Sequence, residues 1–474
     1  MTSETILLVL ILVAGLYMAW NIGANDVANA MGTSVGSGAL TLKQAVIIAA
    51  ILEFSGAFFF GSHVSETVQK GIVDPDIFMQ DPRTLVYGMF AALLATGVWL
   101  QLASYFGIPV STTHSIVGSV IGFGTVAGGI HAVKWGNVGF IVSSWILSPV
   151  AGGIISYYLF YLLRRKIFYT YNPVDEAKKL APILVFCVVT ILSLLLLSNG
   201  TEAFHLKLST FETLGICLLI GAMGSLIGYL FVRRIKAGPP ILKPSPAYGS
   251  EITNSFGKAR KHLKRIQSSS VGELNYRVSV LLDEIDNLSS TLQQDIEKEV
   301  SHSEYAVVEK IFGYLQILSA CLMAFAHGAN DVANAIGPLA AAVGALTTNV
   351  VTMQQSIPTW ALALGGVGIV VGLATWGWRV IETIGKKITE LTPTRGFTAE
   401  FGAAITILTA SRLGMPISTT HTLVGAVIGV GLAKGIGALN LEMTRDIFIS
   451  WVVTVPAGAI LAVAFFYGIQ FTFG

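Results

Sequence analysis

Charge is what this chain has least of. Asp, Glu, Lys and Arg make up only 12% of its 474 residues, where a soluble domain carries about 25%. Hydrophobic residues make up 53% and the mean hydropathy is +0.70, which excludes an ordinary soluble domain. Cysteine is also scarce. Cys187, Cys217 and Cys321 all lie in apolar segments without metal or disulfide spacing and read as core residues. There is no Gly-x₄-Gly-Lys-(Ser/Thr) loop, so a nucleotide-driven pump is not expected. There is no Gly-x-Ser-x-Gly elbow. The start, Met1-Thr2-Ser3-Glu4, has no basic stretch, so the first apolar run reads as a mature helix and not a cleaved signal. No cofactor and no nucleic-acid partner are expected.

What is present is a series of apolar runs. A crossing helix needs about 20 such residues. Five candidates precede residue 164: 5–22, 43–62, 84–106, 109–130 and 138–163. Two follow at 180–198 and 212–232, then a charged stretch over 233–310. Five more come at 311–328, 358–378, 397–413, 416–435 and 446–470. The expected fold is an all-α polytopic membrane protein in the lipid bilayer.

The two sets of five are related. Gly23-Ala-Asn-Asp-Val-Ala-Asn-Ala30 returns unchanged at Gly328-Ala-Asn-Asp-Val-Ala-Asn-Ala335. Gly107-Ile-Pro-Val-Ser-Thr-Thr-His114 matches Gly414-Met-Pro-Ile-Ser-Thr-Thr-His421. Asn25 to Ser111 spans 86 positions and Asn330 to Ser418 spans 88. Looser echoes join Trp145 and Pro149 to Trp451 and Pro456, and Glu66-Thr67 to Glu382-Thr383. Two independent motifs at nearly equal spacing are an internal duplication. The expected organisation is a first transmembrane repeat (1–163), two linking transmembrane helices (164–232), a partly helical cytoplasmic loop (233–310) and a second repeat (311–474).

Basic residues set the expected orientation. Arg164-Arg165-Lys166 and Arg233-Arg234 place the ends of the fifth and seventh segments in the cytoplasm. Lys386-Lys387 and Arg395 fall on the same side. The first repeat then ends inside and the second begins inside. With an odd number of segments in each, the repeats have inverted topology and both termini lie outside. A re-entrant fourth segment would change that parity. Inverted repeats place a carrier's substrate near the midplane at their interface. In the loop, Leu281, Ile285, Leu288, Leu292 and Ile296 repeat at helical spacing. The segment 258–265 is basic, either a solvated face or a surface for anionic lipid. Gly238-Pro239-Pro240 and Ser268-Ser269-Ser270 are linker-like.

Two motifs carry chemistry. Pro109-Val-Ser111-Thr112-Thr113-His114 is a helix start inside an apolar stretch, with hydroxyls to cap free N–H groups. Such an end, facing a cavity, suits an oxyanion. Pro416-Ile-Ser418-Thr419-Thr420-His421 supplies a second. The helices at the site are therefore expected to be discontinuous or re-entrant. Two N-termini and six hydroxyls would surround one tetrahedral anion; the plain alternative is two ordinary capped helices. The octapeptides bring Asp26 and Asp331 with Asn25, Asn29, Asn330 and Asn334, a hard-oxygen set suited to Na⁺. Its Gly and Ala neighbours allow close backbone approach and local unwinding. A carboxylate beside an anion site needs a cation or proton between them, which is the basis of symport. The plain alternative is a hydrogen-bonded helix contact.

The doubled octapeptide and the doubled Pro-(Val/Ile)-Ser-Thr-Thr-His closely resemble the inorganic phosphate transporter family across essentially the whole chain. The resemblance implies sodium- or proton-coupled uptake of inorganic phosphate by a twelve-segment protein. It implies a phosphate site at Ser111, Thr112, Thr113, Ser418, Thr419 and Thr420, with Asp26, Asn29, Asp331 and Asn334 binding cation and phosphate. Some members move sulfate, so a proton-coupled phosphate or sulfate permease is the alternative. Glu53 and Glu400 are membrane glutamates without acidic counterparts in the other repeat (Leu93 lies opposite Glu400). They read as coupling or gating groups or as hydrogen-bonded packing carboxylates. His114 and His421 would donate to the anion, shuttle a proton, or simply pack.

The expected function is secondary active transport by alternating access, with Na⁺ favoured because amide oxygens ligate a metal without titrating. No enzymatic activity is expected. An intramembrane hydrolase has its residue types present, but a symmetric pair is not what one nucleophile needs. An anion channel would not accumulate its ion. A homodimer is the expected assembly.

Overall fold

A computed structural model describes residues 3–106, 108, 110–203, 209–235, 246–300, 304–351, 356–378, 381, 392–435 and 441–474. Gly107, Pro109, Gly238, Pro239, Pro240, Glu382, Thr383, Lys386 and Lys387, singled out above, lie outside the described residues, as do the side chains of Leu292, Ile296 and Trp451.

The first half contains α1 (Ser3–Gly36), α2 (Leu42–Lys70), α3 (Pro82–Tyr105), α4 (Thr112–Gly128) and α5 (Trp135–Leu163). Two helices follow, α6 (Pro173–Ala203) and α7 (Thr210–Arg233), then α8 (Pro246–Ser268) and α9 (Glu273–Val300). The second half is α10 (Glu304–Thr348), α11 (Thr359–Trp376), α12 (Pro393–Arg412), α13 (Thr419–Lys434) and α14 (Leu441–Phe473). Local sequence sets several starts. Thr41 with Gln44 and Ser209 with Glu212 form capping boxes, and Pro82 and Pro393 sit in the first helical turn, where no N–H partner is lost.

Nine helices among the described residues are long and apolar enough to cross a membrane. With no water in the hydrocarbon, helices satisfy their own backbone groups, so this is a multi-pass helical membrane protein. α4 and α13 are not among the nine. At 17 and 16 residues they reach about 25 Å, short of the ~30 Å core.

One expectation is corrected. The first and eighth apolar runs do not stop at the octapeptides, nor does the chain unwind there. α1 continues for 34 residues to Gly36 and α10 for 45 residues to Thr348. The glycines sit against other backbones, and the polar side chains find partners sideways, so the helices continue; the ladder of α10 loses only the bond that Pro338 cannot donate to the Asn334 carbonyl.

The halves exchange elements. α1 packs on α11, and α10 on α2; α4 packs on α14, and α13 on α5. Glycines set these crossings. A Cβ on Gly23 would lie 1.9 Å from the Ile369 carbonyl oxygen of α11, and one on Gly328 would lie 2.1 Å from the Glu53 carbonyl of α2. Gly118 and Gly122 approach Val455 and Ala459 in the same manner, and Gly425 and Gly429 approach Pro149 and Gly153. Closeness of this kind is how helices pack where lipid removes the hydrophobic drive.

Two apolar clusters fill the interior. On α1 the first includes residues up to Ile22 and the second begins at Val27. On α10 one ends at Ala329 and the other begins at Val332. Both octapeptides therefore lie where the apolar core is interrupted.

Candidate functional site: two octapeptides and two helix starts

α4 and α13 begin inside the protein. Ser111 and Ser418 are their N-caps, each 1% exposed, and their Oγ atoms accept the N–H groups of His114 and His421, both at 3.2 Å. The helices start where non-helical chain enters from the ends of α3 and α12, as the Ser-Thr-Thr signal predicts. The first turn of each helix aims its remaining N–H groups out of the helix end.

The carboxylates of the octapeptides meet these starts. Thr112 Oγ1 donates to Asp26 Oδ2 at 2.6 Å, and Thr419 Oγ1 donates to Asp331 Oδ2 at 2.7 Å. Contacts also cross between halves. Thr420 Oγ1 donates to Asp26 Oδ1 at 3.2 Å, and Asn29 donates to Thr420 Oγ1 at 2.8 Å. Asn334 donates to Thr113 Oγ1 at 3.1 Å and to Thr112 Oγ1 at 3.4 Å. Thr113 donates to the Ile417 carbonyl at 2.9 Å. Asn29 also donates to Asp26 at 3.1 Å, the i,i+3 geometry expected of one helix face. All these groups are at most 2% exposed.

Ligand atoms of Asp26, Asp331 and His327 lie within 4.8 Å of one another. Two carboxylates at that separation repel by on the order of 3 kcal/mol at an effective dielectric near 20, so a cation between them is favoured. Among the described residues Asp331 Oδ1, Asn330 Oδ1 and Asn334 Oδ1 are buried without a hydrogen-bond partner. Each buried oxygen left this way can take a further hydrogen-bond or ion partner.

The two outer asparagines also hold the approaches to the helix starts. Asn25 Nδ2 donates to Ser104 Oγ at 2.8 Å, and its Oδ1 accepts the Val110 N–H at 3.4 Å. Asn330 Nδ2 donates to Ser411 Oγ at 2.9 Å and to the Met415 carbonyl at 3.2 Å. Each thereby ties a motif helix to the linker before α4 or α13.

Glu53 and Glu400 do not meet. Glu53, on α2, lies 3.2 Å from Nδ1 of His327, whose Nε2 lies 2.9 Å from Asp331 Oδ2. All three side chains are fully buried. Glu400, on α12, accepts hydrogen bonds from Thr33 and Ser34 of α1 and from Ser319 and Gln316 of α10. It therefore ties the two motif helices together. His114 and His421 meet each other, ring centroids 4.2 Å apart, with Trp145 3.8 Å from His114. They line one end of an apolar cavity of about 690 Å³ between α5 and α13.

Sequence reasoning missed His327, Gln316, Ser319, Thr33 and Ser34. His327 carried a signal. It precedes the second octapeptide by one residue and stands four before Asp331 on the same helix face. The matching place in the first copy is Ile22, so His327 is not among the residues that the two copies share.

A helical membrane protein whose two related halves together build a buried polar site has the arrangement of a secondary transporter. A model of the phosphate transporter family matches residues 22–462, and the chain belongs to that family. It is 46% identical over 471 residues to a protein of Chlamydia pneumoniae named as a phosphate permease, covering 98% of this chain and 99% of that one. It is also 46% identical to the chloroplastic inorganic phosphate transporter 2-1 of Arabidopsis thaliana, over 96% of this chain and 70% of the plant protein. A solved structure described as a sodium-dependent phosphate transporter matches with a TM-score of 0.76 at 38% identity, covering 98% of this chain and 99% of that one.

Proposed function

We propose that this chain takes up inorganic phosphate by symport with Na⁺, by alternating access. The meeting of Asp26 and Asp331 with Thr112, Thr419 and Thr420 at two buried helix starts carries the reading. The helix starts and the Ser-Thr-Thr hydroxyls of both halves receive the anion. Asp26, Asn29, Asp331 and Asn334 receive the cation, joined by Asn330 Oδ1 through its unpartnered oxygen. Asn25 serves mainly to brace the approach to α4. Na⁺ neutralises carboxylates that would otherwise repel both each other and phosphate, so the anion binds well only with the cation. Neutral amide oxygens favour Na⁺ over a proton. The sodium dependence named for the structural neighbour agrees.

The same reading includes the organisation: repeats 1–163 and 311–474 in inverted orientation, joined by 164–232 and a cytoplasmic loop 233–310, with both termini outside; because α4 and α13 are too short to cross, it requires that the packed pairs α3–α4 and α12–α13 each enter and leave the membrane on one side. The exchange of α1 and α11 for α10 and α2 supports two equivalent halves. The basic ends at Arg164-Arg165-Lys166 and Arg233-Arg234 support the sidedness.

The test is uptake in proteoliposomes. Phosphate accumulates when a sodium gradient is imposed at fixed pH. Folded protein that accumulates none under any imposed Na⁺ or H⁺ gradient sinks the reading, and accumulation that follows only a proton gradient replaces the coupling ion.

A further inference from the structure

α8 has a cationic side that transport does not use. Positions 255–268 contain five Lys and Arg residues and neither Asp nor Glu. Gly257, Arg260, Lys261, Lys264, Arg265 and Ser268 recur at three- and four-residue intervals, so they share one face. They line a shallow cavity of about 420 Å³, and all six are exposed. The other side is apolar. Phe256, Ala259 and Leu263 are half-buried, and α9 packs against α8 with Val278 and Leu282 buried.

Apart from Glu251 near the start of α8, the hairpin's acidic residues are on α9. Arg260 reaches Asp286 at 3.0 Å, both half-exposed. Among the described residues no ion pair involves Lys258, Lys261, Lys264 or Arg265. A second feature lies at the end where α8 turns into α9. Ile266, Val271 and Tyr276 are 47%, 90% and 70% exposed. Apolar and aromatic side chains beside a basic stripe are what an anionic bilayer surface accepts.

The tether keeps the hairpin near such a surface. Positions 234–245 join α7 to α8 and span at most ~40 Å, and three residues separate α9 from α10. α7 and α10 are both long and apolar enough to cross the membrane.

We propose that the cationic face of α8 binds the headgroups of anionic phospholipids and holds the α8–α9 hairpin against the bilayer. A bilayer presents an array of phosphate groups, which matches a stripe running about 17 Å along the helix. One soluble anion engages only part of it. The inference needs the membrane-spanning fold and no part of the transport reading.

The test is hydrogen–deuterium exchange of the full chain in nanodiscs, whose two faces carry the same lipids, so orientation does not enter. Positions 255–272 are expected to exchange on the order of tenfold more slowly with roughly one-third phosphatidylglycerol than in phosphatidylcholine alone. High salt removes the difference. So does the variant K261Q/K264Q/R265Q, while exchange over 278–288 stays unchanged and shows the hairpin intact. Equal exchange of the unmodified chain in both lipids overturns the proposal. Equal protection in phosphatidylcholine by added inorganic phosphate also overturns it, in favour of a soluble anion.

Discussion

The residue that most separates the two half-sites is His327. It stands between Glu53 and Asp331, fully buried, where the other half has Ile22. Replacing it with Leu leaves the Glu53 carboxyl buried without its partner, which costs about 3–5 kcal/mol. A thermal-unfolding measurement of His327→Leu should show a large loss, and Glu53→Leu/His327→Leu should recover much of it. A double variant no more stable than the single removes the pairing from the account. Asp26 is tested differently. Asp26→Asn keeps the size of the side chain and one of the two oxygens that accept from Thr112 and Thr420, and its amide N–H can donate to the other hydroxyl, so the fold should persist while sodium-dependent uptake is abolished or uncoupled. Sodium-dependent uptake like that of the unmodified protein would remove Asp26 from the mechanism. At this scale the sequence was informative where chemistry was duplicated. Asp26, Asp331, Thr112 and Thr419 were legible because each motif occurs twice. Gln316, Ser319, Thr33 and Ser34 were not, because a polar residue's partner on another helix leaves no local mark.

Among elements, the crossings of α10 with α2 and of α1 with α11 depend on glycine. A side chain at Gly328 meets the α2 backbone, which cannot step aside. Gly328→Val should lower stability by about 1–3 kcal/mol or more through overpacking. Gly313→Ala on the same helix is the control, since nothing lies within 4 Å of a Cβ there. A thermal scan showing equal effects at the two positions contradicts the close-contact argument. The short helices depend on their caps. Ser111→Ala should cost about 1 kcal/mol and weaken phosphate uptake, checked by the same scan and by an uptake assay. The starts of α4 and α13 were legible from Ser-Thr-Thr, which names both cap and cavity. The lengths of α1 and α10 were not. Polar residues in an apolar run look like an end, and only sideways hydrogen bonds tell an interrupted hydropathy profile from an interrupted helix.

For the whole molecule, the exchange of helices makes each half incomplete. α1 and α2 bury faces against α11 and α10, and α4 and α5 against α14 and α13. A chain cut within positions 236–245 and expressed as two pieces should form folded protein only when both are present, read by co-purification from one tagged piece. A folded first half on its own would show that the exchange is dispensable. The duplicated motifs revealed two related halves. That each completes the other followed only from the packing, because apolar helix faces carry no address in the sequence.

The unbroken run of α10 has a mechanical consequence. Forty-five helical residues extend about 68 Å, more than twice the ~30 Å hydrocarbon thickness. Asp331 is carried partway along this shaft, on the Glu304 side of Pro338, which cannot donate to the Asn334 carbonyl and is where the helix ladder loses a bond. A push along the axis at Glu304 reaches the carboxylate as translation, undiminished by local melting. The chain outside the bilayer and the ion-binding groups within it are thus two points on one connecting rod.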